Sequence, residues 1–235
     1  MSLITIETKD SDFEINYANS PIELNGKYEI ALTGTTLWYS WHNISEKFNN
    51  NKLKYFNGEK WESLTFQDGI YDSDELNNYL QEKFLCTDQC PILFDVNNAT
   101  NRFILVLNNQ QYKVDFSEGK LYELLGFEQK IYEGKINYAP KPGNITRDVD
   151  RILIHCSIVE KSYKNNKHSD VIYSFAPSVS PGEMINIEPF QPKYLPINRV
   201  DYIYSLRIKV TDQLDRIIDF NGENLTFEMY LRSIK

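Results

Sequence analysis

The chain has 235 residues, with 25 Lys and Arg against 33 Asp and Glu, for a formal net charge of −8. That length holds one large β domain, or one domain carrying an inserted subdomain. The acidic balance weighs against a protein that wraps nucleic acid, where affinity comes mainly from Lys and Arg neutralising phosphates. A hydrophobic content of 41% argues against wholesale disorder.

Strand signals dominate from the start. "SLITIET" alternates from Leu3, and "KYEIALTGTTLWYSW" (27–41) reads as a strand pair or as one long strand bent near Gly34. In "KLKYFNGEKWESLTF" (52–66), Asn57-Gly58 lies between two apolar runs, a hairpin signal because both residues tolerate positive φ. The spacing then predicts a helix in "YDSDELNNYLQEKF" (71–84). Asp72 or Ser73 caps it, Glu75 follows in capping-box fashion, and Leu76, Tyr79, Leu80 and Phe84 share one face.

Strands follow in "CPILFDV" (90–96), "NRFILVLN" (101–108) and "QQYKVDF" (110–116), then a short helix in "GKLYELLGF" (119–127) stopped by Gly126. Residues 58–128 thus read as an inserted β-α-β subdomain, with 1–57 and 129–235 forming the main domain. "NYAPKPGNITRD" (137–148) is a Pro/Gly loop, and "DRILIHCSIVE" (150–160) and "DVIYSFAPSV" (170–179) are buried strands. "SPGEMINIEPFQPKYLPIN" (180–198) carries four prolines, which suit edges and connections.

At the C-terminus, Tyr202, Tyr204, Leu206, Ile208 and Val210 point one way, and Arg207 and Lys209 the other. After "DFNGEN" (219–224) the alternation resumes with Leu225, Phe227, Met229 and Leu231. Many short strands separated by turn residues predict an all-β, antiparallel sandwich or jelly roll with a small α+β insertion.

No run approaches the ~18 apolar residues of a membrane span, and the N-terminal stretch lacks a signal peptide's basic and apolar regions. The expectation is therefore a chain made in the cytosol or nucleus and not secreted. No nucleophile elbow, phosphate-binding loop, zincin helix or dinucleotide fingerprint is present in the sequence. The chain is expected to be no enzyme, with no catalytic, cofactor-binding or metal residues; paired carboxylates on a sandwich, as in some glycosidases, are the enzymatic rival.

His155, inside an apolar strand, reads as a satisfied core or interface histidine. Cys86-x-x-x-Cys90 with His155 and Cys156 suggests zinc, but neighbours on a strand leave opposite faces, and the three cysteines read as free thiols. The four carboxylates of "DGIYDSDE" (68–75) read as helix N-terminal acids rather than a calcium loop. Trp38, Tyr39 and Trp41 read as packing residues, with stacking on a glycan as the alternative.

Three stretches, in order, resemble a known family. "LYELLGF" (Leu121–Phe127), "APSVSPGEMINIEPFQPKYLPIN" (Ala176–Asn198) and "LRIKVTDQLDRIIDFNGENLTFEMYL" (Leu206–Leu231) resemble the minor capsid, or penton, protein of Polinton/Maverick elements and related adintoviruses. The matching pieces lie in order across about half the chain, from Leu121 to Leu231. The resemblance implies a single jelly roll that forms homopentamers at the five-fold vertices of an icosahedral virion capsid, beside a double-jelly-roll major capsid protein. It implies a structural role without catalysis; the acidic balance separately leads to the expectation of no direct sequence-specific nucleic-acid binding. Subunit contacts are expected on the Pro-rich segment, at Phe190, Tyr194, Leu195 and Pro196, because prolines lower the ordering cost of an extended stretch. A lectin-like jelly-roll module with a glycan or protein ligand is the alternative.

Overall fold

A computed structural model describes residues 2–87, 89–144 and 149–234. Residues 145–148, in the expected Pro/Gly loop, lie outside the described residues. Up to Trp38 the chain forms β1 (Ser2–Thr8), β2 (Asp12–Asn16), β3 (Ile22–Glu23) and β4 (Lys27–Trp38). Next come β5 (Lys52–Phe56), β6 (Trp61–Thr65), α1 (Ser73–Phe84), β7 (Ile92–Asn97), β8 (Arg102–Leu107), β9 (Lys113–Asp115), α2 (Leu121–Leu125), β10 (Ile131–Tyr132) and β11 (Ile136–Tyr138). The remainder forms β12 (Ile152–Cys156), β13 (Ser162–Lys164), β14 (Lys167–Ser169), β15 (Val171–Phe175), β16 (Met184–Ile187), β17 (Leu195–Pro196), β18 (Tyr202–Ile203), β19 (Ser205–Asp212) and β20 (Leu225–Ile234).

Two compact units result: Met1–Trp41 with Val149–Lys235, and His42–Asp148. The division falls outside the expected boundaries at 58 and 128. A cut at 58 would separate β5 from its hairpin partner β6, and a cut at 128 would strip β10 and β11 from β9 and β8.

In the first unit, one sheet runs β1-β20-β4-β16, with β17 also pairing β4, and the other runs β15-β12-β19-β2. Counting only these eight strands along the chain, the first sheet holds the first, eighth, third and sixth; the second holds the fifth, fourth, seventh and second. All their pairings are antiparallel. This is the interlocked order of a jelly roll, with the other unit inserted between its third and fourth strands.

The core follows from alternation. Ile4, Ile6, Phe227, Met229 and Leu231 of the first sheet and Ile152, Ile154, Leu206, Ile208 and Val210 of the second belong to one buried cluster. Burying each such side chain contributes roughly 1.5–3 kcal/mol, and slipping β20 by one residue would turn its whole set to water. The long first-sheet strand is one bent piece: against β20, Thr33 is an extra residue between the Gly34–Glu228 and Leu32–Met229 pairs.

The alternation expected through Tyr202 and Tyr204 breaks. Ile203 is buried while Tyr202 and Tyr204 are exposed. β18 pairs with β3 and β19 with β2, and between them Tyr17 N–H donates to the Tyr204 carbonyl, letting Tyr204 and Ser205 both face out.

The inserted unit has two sheets, β10-β9-β5-β6 and β11-β8-β7. Its own core includes Phe66, Leu76, Leu80, Phe94, Phe103, Val114, Phe116 and Leu121. Asp72 caps α1 by accepting from the Asp74 and Glu75 N–H groups, and Gly126 at φ 77° ends α2. In the β5–β6 turn, Asn57 accepts from the N–H groups of Glu59 and Lys60.

Candidate functional site

The Pro-rich segment leaves the first sheet and comes back to it. β16 pairs residue for residue with Trp38 to Thr35 of β4, and β17 returns to Ile30 and Glu29 of the same strand. Between them Pro189 and Pro192 lack the N–H that a ladder needs, so the chain loops outward. Phe190 sits on this loop, 96% exposed. The loop borders a groove of about 620 Å³ with Gly34, Glu228 and Tyr230 on the outer face of the first sheet. Among the described residues, Glu188 and Glu228 have no ion-pair partner.

Of the four expected contact residues, the structure leaves Phe190 facing outward. Tyr194 is half-buried against Arg232, whose guanidinium lies 3.4 Å from the ring centroid and also pairs with Glu29. Leu195 and Pro196 are half-buried in β17.

A second concave feature lies on the outer face of the other sheet. Ile154 and Cys156 turn into the core, so His155 between them turns out. It is 5% exposed because the chain folds over it. His155 Nδ1 is 2.6 Å from Asp170 Oδ1, and Nε2 is 2.8 Å from Thr211 Oγ1. A register shift at His155, where the β15 partner changes from Tyr173 to Val171, accompanies this contact. Burial pushes the Asp170 carboxyl up, but the His155 hydrogen bond and charge, with Lys209 nearby, outweigh it and hold the group below its ordinary value.

Above this floor opens a cleft of about 680 Å³, with Lys164, Lys167, Lys209, Asp215 and Ile217 on its walls. The β13–β14 hairpin is tied across it: Lys164 Nζ donates to Asp215 Oδ1 and the Gln213 carbonyl, each at 2.7 Å. Both aspartates of the cleft are thus partnered, whereas Lys167 and Lys209 form no ion pair among the described residues. The cleft presents unpaired cations beside an apolar surface, Ile217, which is 49% exposed.

The remaining sequence candidates resolve simply. Tyr39 and Trp41 are buried and stacked at 3.9 Å, with Phe220 edge-on to Trp41, so neither ring is free to face a sugar. Asp68 accepts from Ser45 Oγ and the Glu46 N–H, and Asp72 is the helix cap, so both carboxylates serve local structure. The expectation of three free thiols fails: Cys86 and Cys90 form a disulfide, their Cα atoms 5.4 Å apart, and only Cys156 is free. The helix end brings the pair together, since Leu85 turns the chain left-handed at φ 52° directly before Cys86. His155 is partnered on both ring nitrogens, as expected of a packed strand histidine. The residues that complete its chain stand 15 and 56 positions away, and no local pattern marks them.

No family model matches the chain, and no curated protein does. Among solved structures, the chain is similar to the mavirus penton protein, at 9% identity over 99% of each chain with a TM-score of 0.46. It is also similar to a chain of the Sputnik virophage structure, at 12% identity over 97% of each chain with a TM-score of 0.44. The eight-strand order stands independently of both.

Proposed function

We propose that this chain is a structural capsid protein of the penton type, five copies of which close a ring at the vertices of an icosahedral shell. The observation that carries the reading is the strand order, an eight-stranded jelly roll of the kind that viral shells use. Jelly rolls also serve lectins and other binding proteins, so the fold alone does not choose among them. The ordered resemblance to Polinton/Maverick and adintovirus minor capsid proteins supports the capsid reading over the others. Two of its stretches cover β16, β17, β19 and β20, strands of both sheets. Burial takes Tyr39 and Trp41 from the lectin alternative, and Trp38, the third aromatic candidate, is half-buried.

On this reading the chain works in the virion shell, beside a double-jelly-roll major capsid protein. A ring of identical copies uses a heterologous, head-to-tail contact, closed because each rotation is one-fifth of a turn. The exposed Phe190 loop is one side of that contact.

Native mass spectrometry of the purified chain tests the reading, together with electron microscopy of particles co-assembled with the major capsid protein. The expected result is a five-copy species, alone or at the particle vertices. A chain that forms only dimers or trimers, or that is absent from the vertices, overturns it.

A further inference from the structure

The two concave features stand on opposite outer faces of one sandwich, and each supplies what the other lacks. Over the first sheet, the Glu188–Pro192 loop presents an almost fully exposed phenyl ring beside an unpaired carboxylate. Over the second, the cleft presents the unpaired Lys167 and Lys209 beside the exposed apolar Ile217. We propose that the loop of one copy inserts Phe190 against Ile217 in the cleft of the next copy, with Glu188 facing Lys167 and Lys209. This deepens the ring reading and rests on it.

Three physical points carry the proposal. The loop and the cleft belong to opposite faces of the sandwich, so a copy cannot fill its own cleft, and each contact leaves one loop and one cleft open for further copies. That is the condition for head-to-tail growth into a ring. Pro189 and Pro192 restrict the loop before docking, which lowers the ordering cost of insertion. Three lysines against two aspartates line the cleft, and Lys164 is spent on Asp215, so the net charge facing a partner is positive and complements Glu188.

The experiment uses the full chain as wild type and in three variants, followed by light scattering and native mass spectrometry. Phe190→Asp removes the loop's anchor, and Lys167→Glu with Lys209→Glu inverts the cleft. Each alone is expected to weaken self-association at least about tenfold while leaving the circular dichroism spectrum unchanged. Mixed in equal amounts, the two variants are expected to form a 1:1 pair and nothing larger, because one intact loop still meets one intact cleft. Adding Glu188→Lys to the inverted cleft is expected to restore association.

Wild-type chain that assembles while both variants assemble equally well overturns this contact and leaves the ring reading standing. Wild-type chain that stays monomeric to about 1 mM, the weak end of specific affinity, overturns the contact, and co-assembly then decides the ring reading separately. Saturable binding of single-stranded DNA that the inverted cleft abolishes, with self-association unchanged, also overturns it.

Discussion

The guanidinium of Arg232 lies 3.4 Å from the centroid of the Tyr194 ring. The last strand of the chain thereby holds down the returning end of the Pro-rich loop, and the loop's exposed and anchored residues take different roles. Tyr194→Ala removes a cation–π contact and the packing around it, and is expected to cost about 1 kcal/mol. Amide exchange should speed up at Leu195 and Ile197. Phe190→Ala removes almost no folded contact and is expected to leave monomer stability within about 0.5 kcal/mol of wild type. Chemical denaturation of the two variants side by side measures this, and equal losses would mean that Phe190 is packed in the folded monomer.

The cysteines give a count. Burial pushes the Cys156 thiol up to about 12, so it neither ionises nor meets solvent in the folded chain. A thiol reagent is expected to find no reactive cysteine in native protein, one after unfolding without reductant, and three after reduction and unfolding. Three without reductant would mean that Cys86 and Cys90 are unbonded.

Asp170 ties folding to acidity. Its carboxyl titrates below the ordinary 3.8 in the folded chain. A depressed carboxyl contributes stability that is present above its unfolded value and lost as pH falls through the folded one. Thermal unfolding should therefore lose midpoint below about pH 4, and Asp170→Asn should make that loss shallower while lowering the midpoint at pH 7. An unchanged acid slope in Asp170→Asn would remove the His155–Asp170 pair as its source.

Two glycines separate backbone strain from collision. Gly126 ends α2 at φ 77°, and a Cβ there would run into the carbonyls of Lys141 and Pro142. Gly222 has the same φ of 77° with open space around it. Gly222→Ala is expected to cost about 1–2 kcal/mol from its left-handed conformation alone. Gly126→Ala should cost more, because the neighbouring backbone must also move. Equal unfolding midpoints would show that the backbone around α2 yields freely.

Whatever depended on near neighbours was legible in the chain itself. The alternation of Leu225, Phe227, Met229 and Leu231, the Asp72 cap, the Asn57-Gly58 turn and the Gly126 stop each arise within a few residues. The turn "DFNGEN" belongs with them, since Asn221 at φ 53° and Gly222 at φ 77° close it with a bond from Glu223 N–H to the Phe220 carbonyl. The exposure of Phe190 was partly legible too, because Pro189 and Pro192 forbid a continued ladder around it. Tyr202 and Tyr204 misled, because their alternation looks unbroken until β18 and β19 take different partners.

Composition and local period thus determined that this is an antiparallel sandwich with an inserted unit, and which faces of its longest strands are apolar. Tertiary structure alone decided the rest: that β1 pairs with β20 across nearly the whole chain, that the insertion reaches back to His42, and that His155 joins Asp170 to Thr211 beneath a basic cleft. A strand's period is set by its own side chains, whereas its partner is chosen by the burial of distant ones.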